Sequence, residues 1–141
     1  ESIELDAELP RVLVVDDNEV NRRVACGFLR KFGFSSDIAE DGQQALEAVR
    51  TQCYGLVFMD CQMPVMDGYQ ATAAIREYMQ GEPLTIIALT ANAMEGDRED
   101  CLLCGMDDYL AKPLRKENLE QVLKRWVPAI KQRLRGRESR V

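Results

Sequence analysis

The sequence predicts an α/β fold in which a parallel β-sheet is covered by helices on both faces. Short, continuously apolar runs such as Val12–Val15 and Leu56–Met59 are typical of parallel strands that are buried on both faces. These runs alternate with longer segments whose apolar residues recur at helical spacing. Five strand–helix pairs within about 120 residues indicate one doubly wound domain built around a single sheet.

Five strands are predicted from these runs. In chain order they are Arg11–Val15, Ser35–Ala39, Leu56–Met59, Thr85–Leu89 and Asp108–Ala111. The first, third and fourth contain continuous apolar runs, and Thr90 directly follows the fourth. The second and fifth are short and less apolar, and each follows a glycine that ends a helix.

Five helices are predicted between and after the strands. They are Asn18–Lys31, Asp41–Arg50, Tyr69–Met79, Glu95–Cys104 and Lys116–Trp126. Glycine follows the first, third and fourth of them closely, as it commonly does after the last turn of a helix. A proline at position 128 marks a break or kink after the last one.

Helical spacing also predicts which residues share a face. The predicted sets are Val20, Val24 and Leu29 in the first helix, Ala45, Leu46 and Val49 on the buried side of the second, and Leu119, Val122, Leu123 and Trp126 in the last.

Composition limits the class of protein. With 141 residues and 46% apolar residues, the chain suits one folded domain. The net charge of −6 is uneven, since 21 acidic and 8 basic residues lie up to Ala111, and 3 acidic and 10 basic residues follow. An acidic body argues against nucleic acid as the partner. We expect a linker over residues 1–10, a domain over 11–127, and a basic linker or helix extension over 128–141. A solvated tail is favoured there over a dock for an acidic partner.

Cysteine content and hydropathy indicate the compartment. Five cysteines without secretory features predict free thiols in a reducing cytoplasm. The Cys101–Cys104 C-x-x-C pair is interpreted as buried packing, because no histidine or second pair completes a zinc site. No apolar stretch approaches the ~20 residues of a membrane span, so this segment is expected to make no membrane contact. The chain begins at Glu1 rather than methionine, which favours a fragment of a longer protein.

Three carboxylates dominate the candidate chemistry. Asp16 and Asp17 follow the first strand, and Asp60 follows the third. Because ligands bind at the carboxyl edge of open parallel sheets, these side chains are expected to converge there. Clustered carboxylates stay ionised only beside a cation, and hard oxygen ligands suit Mg²⁺. The sequence therefore predicts a divalent metal site that serves phosphate chemistry.

At these positions the chain resembles the receiver domains of two-component response regulators. The matching segments are VLVVDDNEVNRR, VFMDCQMPVMDG, ALTANAM and DDYLAKPL, and the resemblance runs from about Arg11 to Trp126. The residues of the first two segments are most similar to those of receivers in hybrid sensor histidine kinases. The resemblance implies a flavodoxin-like (βα)5 fold with strand order 2-1-3-4-5.

The resemblance also implies a metal set and a phosphoacceptor. Asp60 would accept the phosphoryl group as an aspartyl phosphate. Asp17 would be the principal metal-binding carboxylate, with Asp16 assisting. Asp60 and the main-chain carbonyl of Gln62 would complete the metal set. The implied cofactor is Mg²⁺, or Mn²⁺ in its place.

Four further residues receive implied roles. Thr90 would hydrogen-bond a phosphoryl oxygen, and the Lys112 ammonium would pair with the phosphoryl group. Tyr109 would be an aromatic switch whose rotamer follows Thr90. A cis Lys112–Pro113 peptide bond would aim the lysine inward.

The implied function is a phosphorylation switch in a phosphorelay. A histidine kinase or histidine phosphotransfer domain would phosphorylate Asp60, and the face formed by the fourth helix, fifth strand and last helix would then change partner. Since the chain has no histidine, the donor must be another domain or protein. A hybrid-kinase parent is favoured, and this fragment is expected in the cytoplasm whether or not the parent has an anchor in the inner membrane.

Three alternatives stay open. The chain could be a stand-alone response regulator, or a docking module that is never phosphorylated. It could also be a phosphohydrolase that uses an aspartate nucleophile. Gln62 argues against the last, because such enzymes want an acidic residue two positions after the nucleophile. Beyond self-phosphorylation and dephosphorylation, we expect no turnover enzyme in this fragment, although its parent could be a kinase.

Overall fold

The computed structural model describes residues 9–63, 65–91, 99 and 102–139, with side chains described as far as residue 133. These residues form one five-stranded parallel sheet in the order β2-β1-β3-β4-β5. The predicted fold class and strand order are therefore confirmed. The fourth predicted helix, Glu95 to Cys104, lies mostly outside the described residues.

The strands begin and end close to their predicted bounds. They are β1 (Val12–Val15), β2 (Ser36–Ala39), β3 (Leu56–Asp60), β4 (Thr85–Thr90) and β5 (Asp108–Ala111). The central strands β1, β3 and β4 are fully buried along their lengths. This burial on both faces explains why they are continuously apolar rather than alternating.

Four helices lie within the described residues. They are α1 (Glu19–Lys31), α2 (Gly42–Thr51), α3 (Gly68–Met79) and α4 (Lys116–Ser139). Asn18, Asp41 and Asp67 cap the first three, because each side chain accepts a hydrogen bond from the main-chain N–H three residues later. These caps fix where the helices start, directly after the loops that follow β1, β2 and β3.

Two apolar layers cover the sheet. One layer joins α1 and α4 to the sheet face that carries Val14, Phe58 and Leu89. The other joins α2 and α3 to the opposite face, which carries Val15 and Met59. The domain is therefore doubly wound, and both layers leave the carboxyl edge of the sheet to polar residues.

The face predictions have mixed outcomes. Ala45, Leu46 and Val49 of α2 are buried as predicted. In α1, Leu29 is buried, but Val20 is 66% exposed and Val24 is 39% exposed. The spacing of those two valines therefore does not identify the buried face of α1, which Ala25 shares with Leu29.

The last helix extends well past the predicted end at Trp126. It continues through Pro128 to Ser139, and Ile130 is only 2% exposed. A Cβ placed on Gly55 would lie 2.5 Å from the Pro10 Cβ and 2.9 Å from the Ile130 Cγ2. The segment before β1 and the extension of α4 therefore pack together around Gly55, just before β3.

Candidate functional site

The strand register brings the predicted acidic residues together. Val15 of β1 lies opposite Met59 of β3, so the residues that follow them in the chain, Asp16 and Asp60, are neighbours at the carboxyl edge of the sheet. One carboxylate oxygen from each of Asp16, Asp17 and Asp60 lies within 4.8 Å of the others. The convergence predicted from strand ends is therefore observed.

The three carboxylates differ in exposure. Asp16 is 1% exposed and Asp60 is 2% exposed, whereas Asp17 faces solvent. Two buried carboxylates this close repel each other and lose hydration, so the cluster requires compensating positive charge.

Lys112 supplies part of that charge. Its Nζ lies 2.9 Å from Asp60 Oδ1 and 3.2 Å from Asp16 Oδ2. The lysine follows β5, and its main-chain N–H donates to the carbonyl of Thr90 on β4. The Lys112–Pro113 peptide bond is cis, as the resemblance implies.

Burial and charge act in opposite directions on these groups. Burial raises the pKa of Asp60, and the Asp16 charge adds to this rise, while hydrogen bonds from Lys112 and the Gln62 N–H lower it in part. Burial by itself would lower the pKa of Lys112, but its contacts with Asp60 and Asp16 outweigh burial and raise that pKa. The lysine is thus held as an ammonium between two carboxylates.

The remaining carboxylate atoms fit a hard divalent cation. Among the described residues, Asp16 Oδ2 and Asp60 Oδ2 are buried and have no hydrogen-bond partner. Asp16 Oδ2 has the Lys112 ammonium 3.2 Å away as an ion-pair partner, but buried oxygens without a hydrogen bond stay costly unless a further cation satisfies them. A cluster made only of oxygen donors, with the solvent-exposed Asp17 at its rim, is the kind of site that binds partly hydrated Mg²⁺.

The outer contacts of Asp16 include residues that sequence reasoning missed. The main-chain N–H of Asn18 donates to Asp16 Oδ1 at 2.9 Å, and the Asn21 amide lies 3.5 Å from the same oxygen. Arg22 Nη1 donates to the main-chain carbonyl of Asp16 at 2.9 Å. The sequence signal was the start of a helix directly after the acidic pair, since the first turns of such a helix lie beside the preceding strand end.

The other predicted residues lie around this centre. Thr90 is 6% exposed and stands opposite Ala111, the residue that precedes Lys112. Gln62 donates its main-chain N–H to Asp60 Oδ1 at 3.2 Å, and the role of its carbonyl stays a prediction. Tyr109 is half-buried against the apolar layer of α2 and α3, and its switching role likewise stays a prediction.

The loop after Asp60 presses closely on the site. A Cβ on Gly68 would overlap the main-chain carbonyl group of Asp60, so only glycine lets the start of α3 approach this near. The Gly68 N–H donates to the carbonyl of Cys61 at 3.2 Å. Gly68 therefore joins the two ends of the loop that carries Gln62.

Comparison with known proteins identifies the family. A family model described as "Response regulator receiver domain" matches residues 12–124. The chain belongs to this family. Within it, the receiver is 44% identical to the sensor histidine kinase GacS of Pseudomonas protegens over 125 residues, which are 86% of this chain and 14% of that protein. It is 38% identical to hybrid signal transduction histidine kinase B of Dictyostelium discoideum, over 79% of this chain and 6% of that protein. The receiver thus spans a small fraction of the length of these relatives.

Solved structures similar to this chain are also receiver domains. The receiver domain of sensor histidine kinase PA1611 from Pseudomonas aeruginosa, which has a magnesium ion coordinated in its active-site cleft, is 46% identical. It matches 84% of this chain and 98% of that chain with a TM-score of 0.77. The receiver of Saccharomyces cerevisiae Ssk1, solved with the histidine phosphotransfer protein Ypd1, is 34% identical, with a TM-score of 0.80 over 84% of this chain and 90% of that chain.

Two predictions outside the site have limited outcomes. Cys26, Cys53, Cys61 and Cys104 are not in disulfides, whereas Cys101 lies outside the described residues. Within the described part of the chain, no helix is both long and apolar enough to span a membrane.

Proposed function

We propose that this receiver is the phosphoacceptor of a phosphorelay and that Asp60 takes the phosphoryl group from a phosphohistidine of a partner. The observation that carries this proposal is the cluster itself: a buried carboxylate beside two more carboxylates and an ammonium, at the carboxyl edge of the sheet. Phosphoryl transfer needs little from a protein beyond positioning and neutralisation of charge on the transferred oxygens.

The proposed reaction balances in one displacement. A carboxylate oxygen of Asp60 attacks phosphorus, the phosphorus–nitrogen bond to the partner imidazole breaks, and the bonding pair returns to that nitrogen. The product is an acyl phosphate on Asp60 and a free histidine on the partner. Water can later hydrolyse the acyl phosphate, which restores the carboxylate and releases inorganic phosphate.

The side chains around Asp60 are proposed to have different roles in phosphoryl transfer. Lys112 holds an ammonium within 2.9 Å of Asp60, where it can neutralise a phosphoryl oxygen. The Thr90 hydroxyl is proposed to donate to a second oxygen. Asp16, Asp17, Asp60 and the Gln62 carbonyl are proposed to hold Mg²⁺, which when bound would neutralise charge on the phosphoryl oxygens as a Lewis acid. Mn²⁺, with similar oxygen preference, is proposed as a substitute.

The experiment is phosphorylation by a small donor. The protein is incubated with acetyl phosphate and Mg²⁺, and its intact mass is followed beside Asp60→Asn and beside Glu47→Gln, an exposed carboxylate on α2. We expect one phosphoryl adduct on the wild type and on Glu47→Gln, and none on Asp60→Asn or without Mg²⁺. An adduct that persists on Asp60→Asn would contradict the assignment.

The same experiment separates the docking-module alternative. A receiver that binds Mg²⁺ but forms no adduct with acetyl phosphate, nor with phosphorylated Ypd1 as a phosphohistidine probe, would be a docking module. Steady release of phosphate from small phosphate esters would instead favour the phosphohydrolase, which Gln62 argues against.

We propose that the donor is a histidine kinase or a histidine phosphotransfer domain. The likeness to the Ssk1 receiver, which was solved with such a protein, supports this proposal. An exposed apolar strip on α1, formed by Val20 and Val24, begins three residues after Asp17 and offers a contact surface beside the site. Transfer from phosphorylated Ypd1 that falls in Val24→Asp, with acetyl phosphate labelling unchanged, would support this docking surface.

The parent of this receiver is proposed to be a hybrid sensor histidine kinase in which the receiver faces the cytoplasm. The likeness to hybrid kinases over short parts of their lengths supports this origin. A complete reading frame that encodes a histidine kinase core on the same chain is expected. A frame that encodes this domain alone would favour the stand-alone response regulator.

The output is proposed to be a population shift. Phosphoryl contacts would draw Thr90 inward, Tyr109 would turn into the vacated space, and the face that includes β5 and α4 would change its preferred partner. Thr90→Ala should therefore still accept phosphate, while the aromatic NMR signals of Tyr109 no longer shift on phosphorylation. A Tyr109 shift that survives in Thr90→Ala would contradict this coupling.

A further inference from the structure

The turn between β1 and α1 holds Asp16 at several points. Its main-chain N–H donates to the carbonyl of Ala39 on β2 at 3.1 Å. Its Oδ1 accepts from the N–H of Asn18, and its carbonyl accepts from Arg22. With Oδ1 occupied on the α1 side, Oδ2 is the oxygen left beside Lys112 and without a hydrogen bond among the described residues.

Arg22 is an unusual choice for a purely structural contact. Its side chain is half-buried, and among the described residues its Nε is buried without a hydrogen-bond partner. A buried donor without an acceptor is destabilising. Arg22 also brings a positive charge to a site that is to bind a cation. Stability and charge alone would both favour a different residue here.

We propose that Arg22 is a positioning residue for Mg²⁺: by anchoring the Asp16 carbonyl to α1, it aims the Asp16 carboxylate at the metal. This inference rests on the proposed function, since it concerns the same metal site. Outer contacts of this kind orient metal ligands, and their loss typically weakens metal binding or activity 10- to 100-fold. The Asn21 amide, 3.5 Å from Asp16 Oδ1, assists from the preceding position.

The sign of the effect distinguishes positioning from charge. If Arg22 acted only as a nearby positive charge, its removal would relieve repulsion and strengthen Mg²⁺ binding. If it positions Asp16, its removal weakens Mg²⁺ binding even though the site becomes more negative. Opposite signs make the two roles separable in one titration.

Arg23 provides a matched control. It is the next residue on α1, it is exposed, and it pairs with Glu19 across one helical turn at 2.7 Å. Arg23→Met removes the same charge from the same helix without touching Asp16. Arg22→Lys keeps the charge and one donor that can reach the carbonyl.

The test is calorimetric titration of the protein with Mg²⁺ alone, at a temperature where far-ultraviolet circular dichroism shows each variant to be folded. We expect Arg22→Met to bind Mg²⁺ roughly tenfold more weakly than the wild type. Arg22→Lys should recover part of this loss, and Arg23→Met should bind no more weakly than the wild type. Arg22→Met affinity equal to or tighter than wild type would overturn the proposal, as would failure of both Arg22 variants to fold.

A double-mutant cycle with Asp16→Asn completes the test. Because Arg22 is proposed to act through the Asp16 carboxylate, Arg22→Met should have little further effect on Mg²⁺ affinity once that carboxylate is gone. Equal losses in both backgrounds would show that Arg22 acts elsewhere. A wild-type protein that binds no Mg²⁺ would instead reject the proposed function itself, which keeps the two failures distinct.

Discussion

Asp16, Asp60 and Lys112 form a compact charge cluster in which the cost of burial is offset only in part. The ammonium lies near Asp60 Oδ1 and Asp16 Oδ2, yet among the described residues neither Asp16 Oδ2 nor Asp60 Oδ2 has a hydrogen-bond partner. Such a cluster is compatible with folding, and a second cation would further neutralise its carboxylates. At the residue scale, metal binding and phosphate chemistry follow from this incomplete neutralisation.

Replacement of Lys112 tests that balance. Lys112→Met should lower the free energy of unfolding by about 2–3 kcal/mol in metal-free buffer, because two buried carboxylates lose their counter-ion. Mg²⁺ should restore more stability to the variant than it adds to the wild type. Urea denaturation with and without Mg²⁺ measures both effects.

The control is Lys124→Met, which removes an exposed ammonium paired with Glu120 on α4. Its effect should stay within about 0.5 kcal/mol, as for other surface ion pairs. If Lys112→Met were as stable as this control in metal-free buffer, the Lys112 ammonium would not be needed to offset repulsion between the two buried carboxylates.

Helices and strands place these residues through register and caps, and part of that placement could be predicted. Continuous apolar runs located β1, β3 and β4, and therefore the strand ends at which Asp16 and Asp60 lie. The sequence did not reveal that Val20 and Val24 face outward, because helical spacing defines a common face without saying what covers it. It also missed Arg22, whose contact depends on the angle at which α1 leaves β1.

The opposite edge of the sheet has its own polar connection. The Arg11 guanidinium donates twice to Asp37 of β2, with both distances 2.8 Å, and the Tyr54 hydroxyl donates to Asp37 at 2.6 Å. The Arg11 hydrogen bonds, followed by that of Tyr54, hold the pKa of Asp37 below its ordinary value. Burial first, and then Asp37, raise the pKa of Tyr54 to about 12. These contacts tie the amino ends of β1, β2 and β3 together.

The raised pKa of Tyr54 predicts a loss of stability in alkali. The protonated hydroxyl contributes its full stability below the ordinary tyrosine value of about 10, and this contribution is lost as the pH rises towards 12. Asp37→Asn should lower the pKa of Tyr54 and remove part of this dependence. Tyrosinate absorbance, assigned by difference with Tyr54→Phe, measures the shift. Ionisation of Tyr54 at the same pH in wild type and Asp37→Asn would contradict the proposed coupling.

On the scale of the whole molecule, the candidate site and the packing of the α4 extension lie at opposite ends of the strands. The carboxylates and Lys112 occupy the carboxyl edge, while Pro10, Gly55 and the α4 extension meet towards the amino end of β3. Residues 128–141 were predicted to be a basic linker or a helix extension, because Pro128 normally ends or bends a helix. Burial of Ile130 favours the helix extension, since tertiary packing outweighs local propensity.

Ile130 should therefore contribute to the stability of the domain. Ile130→Ala is expected to lower the free energy of unfolding by about 3 kcal/mol, the usual cost of a cavity at a buried isoleucine. Gln132→Ala, at an exposed position on the same helix, should change it by less than about 0.5 kcal/mol. Urea denaturation compares the two variants. Equal stability of both would indicate that the domain ends before Ile130.

The most direct test of the account is to locate the phosphoryl group. The protein is phosphorylated with acetyl phosphate and Mg²⁺, reduced with borohydride, which converts an aspartyl phosphate to homoserine, and mapped by peptide mass spectrometry. The account predicts homoserine at position 60 alone, and none without Mg²⁺. Homoserine at Asp16, Asp17 or another carboxylate, with position 60 unmodified, would contradict it.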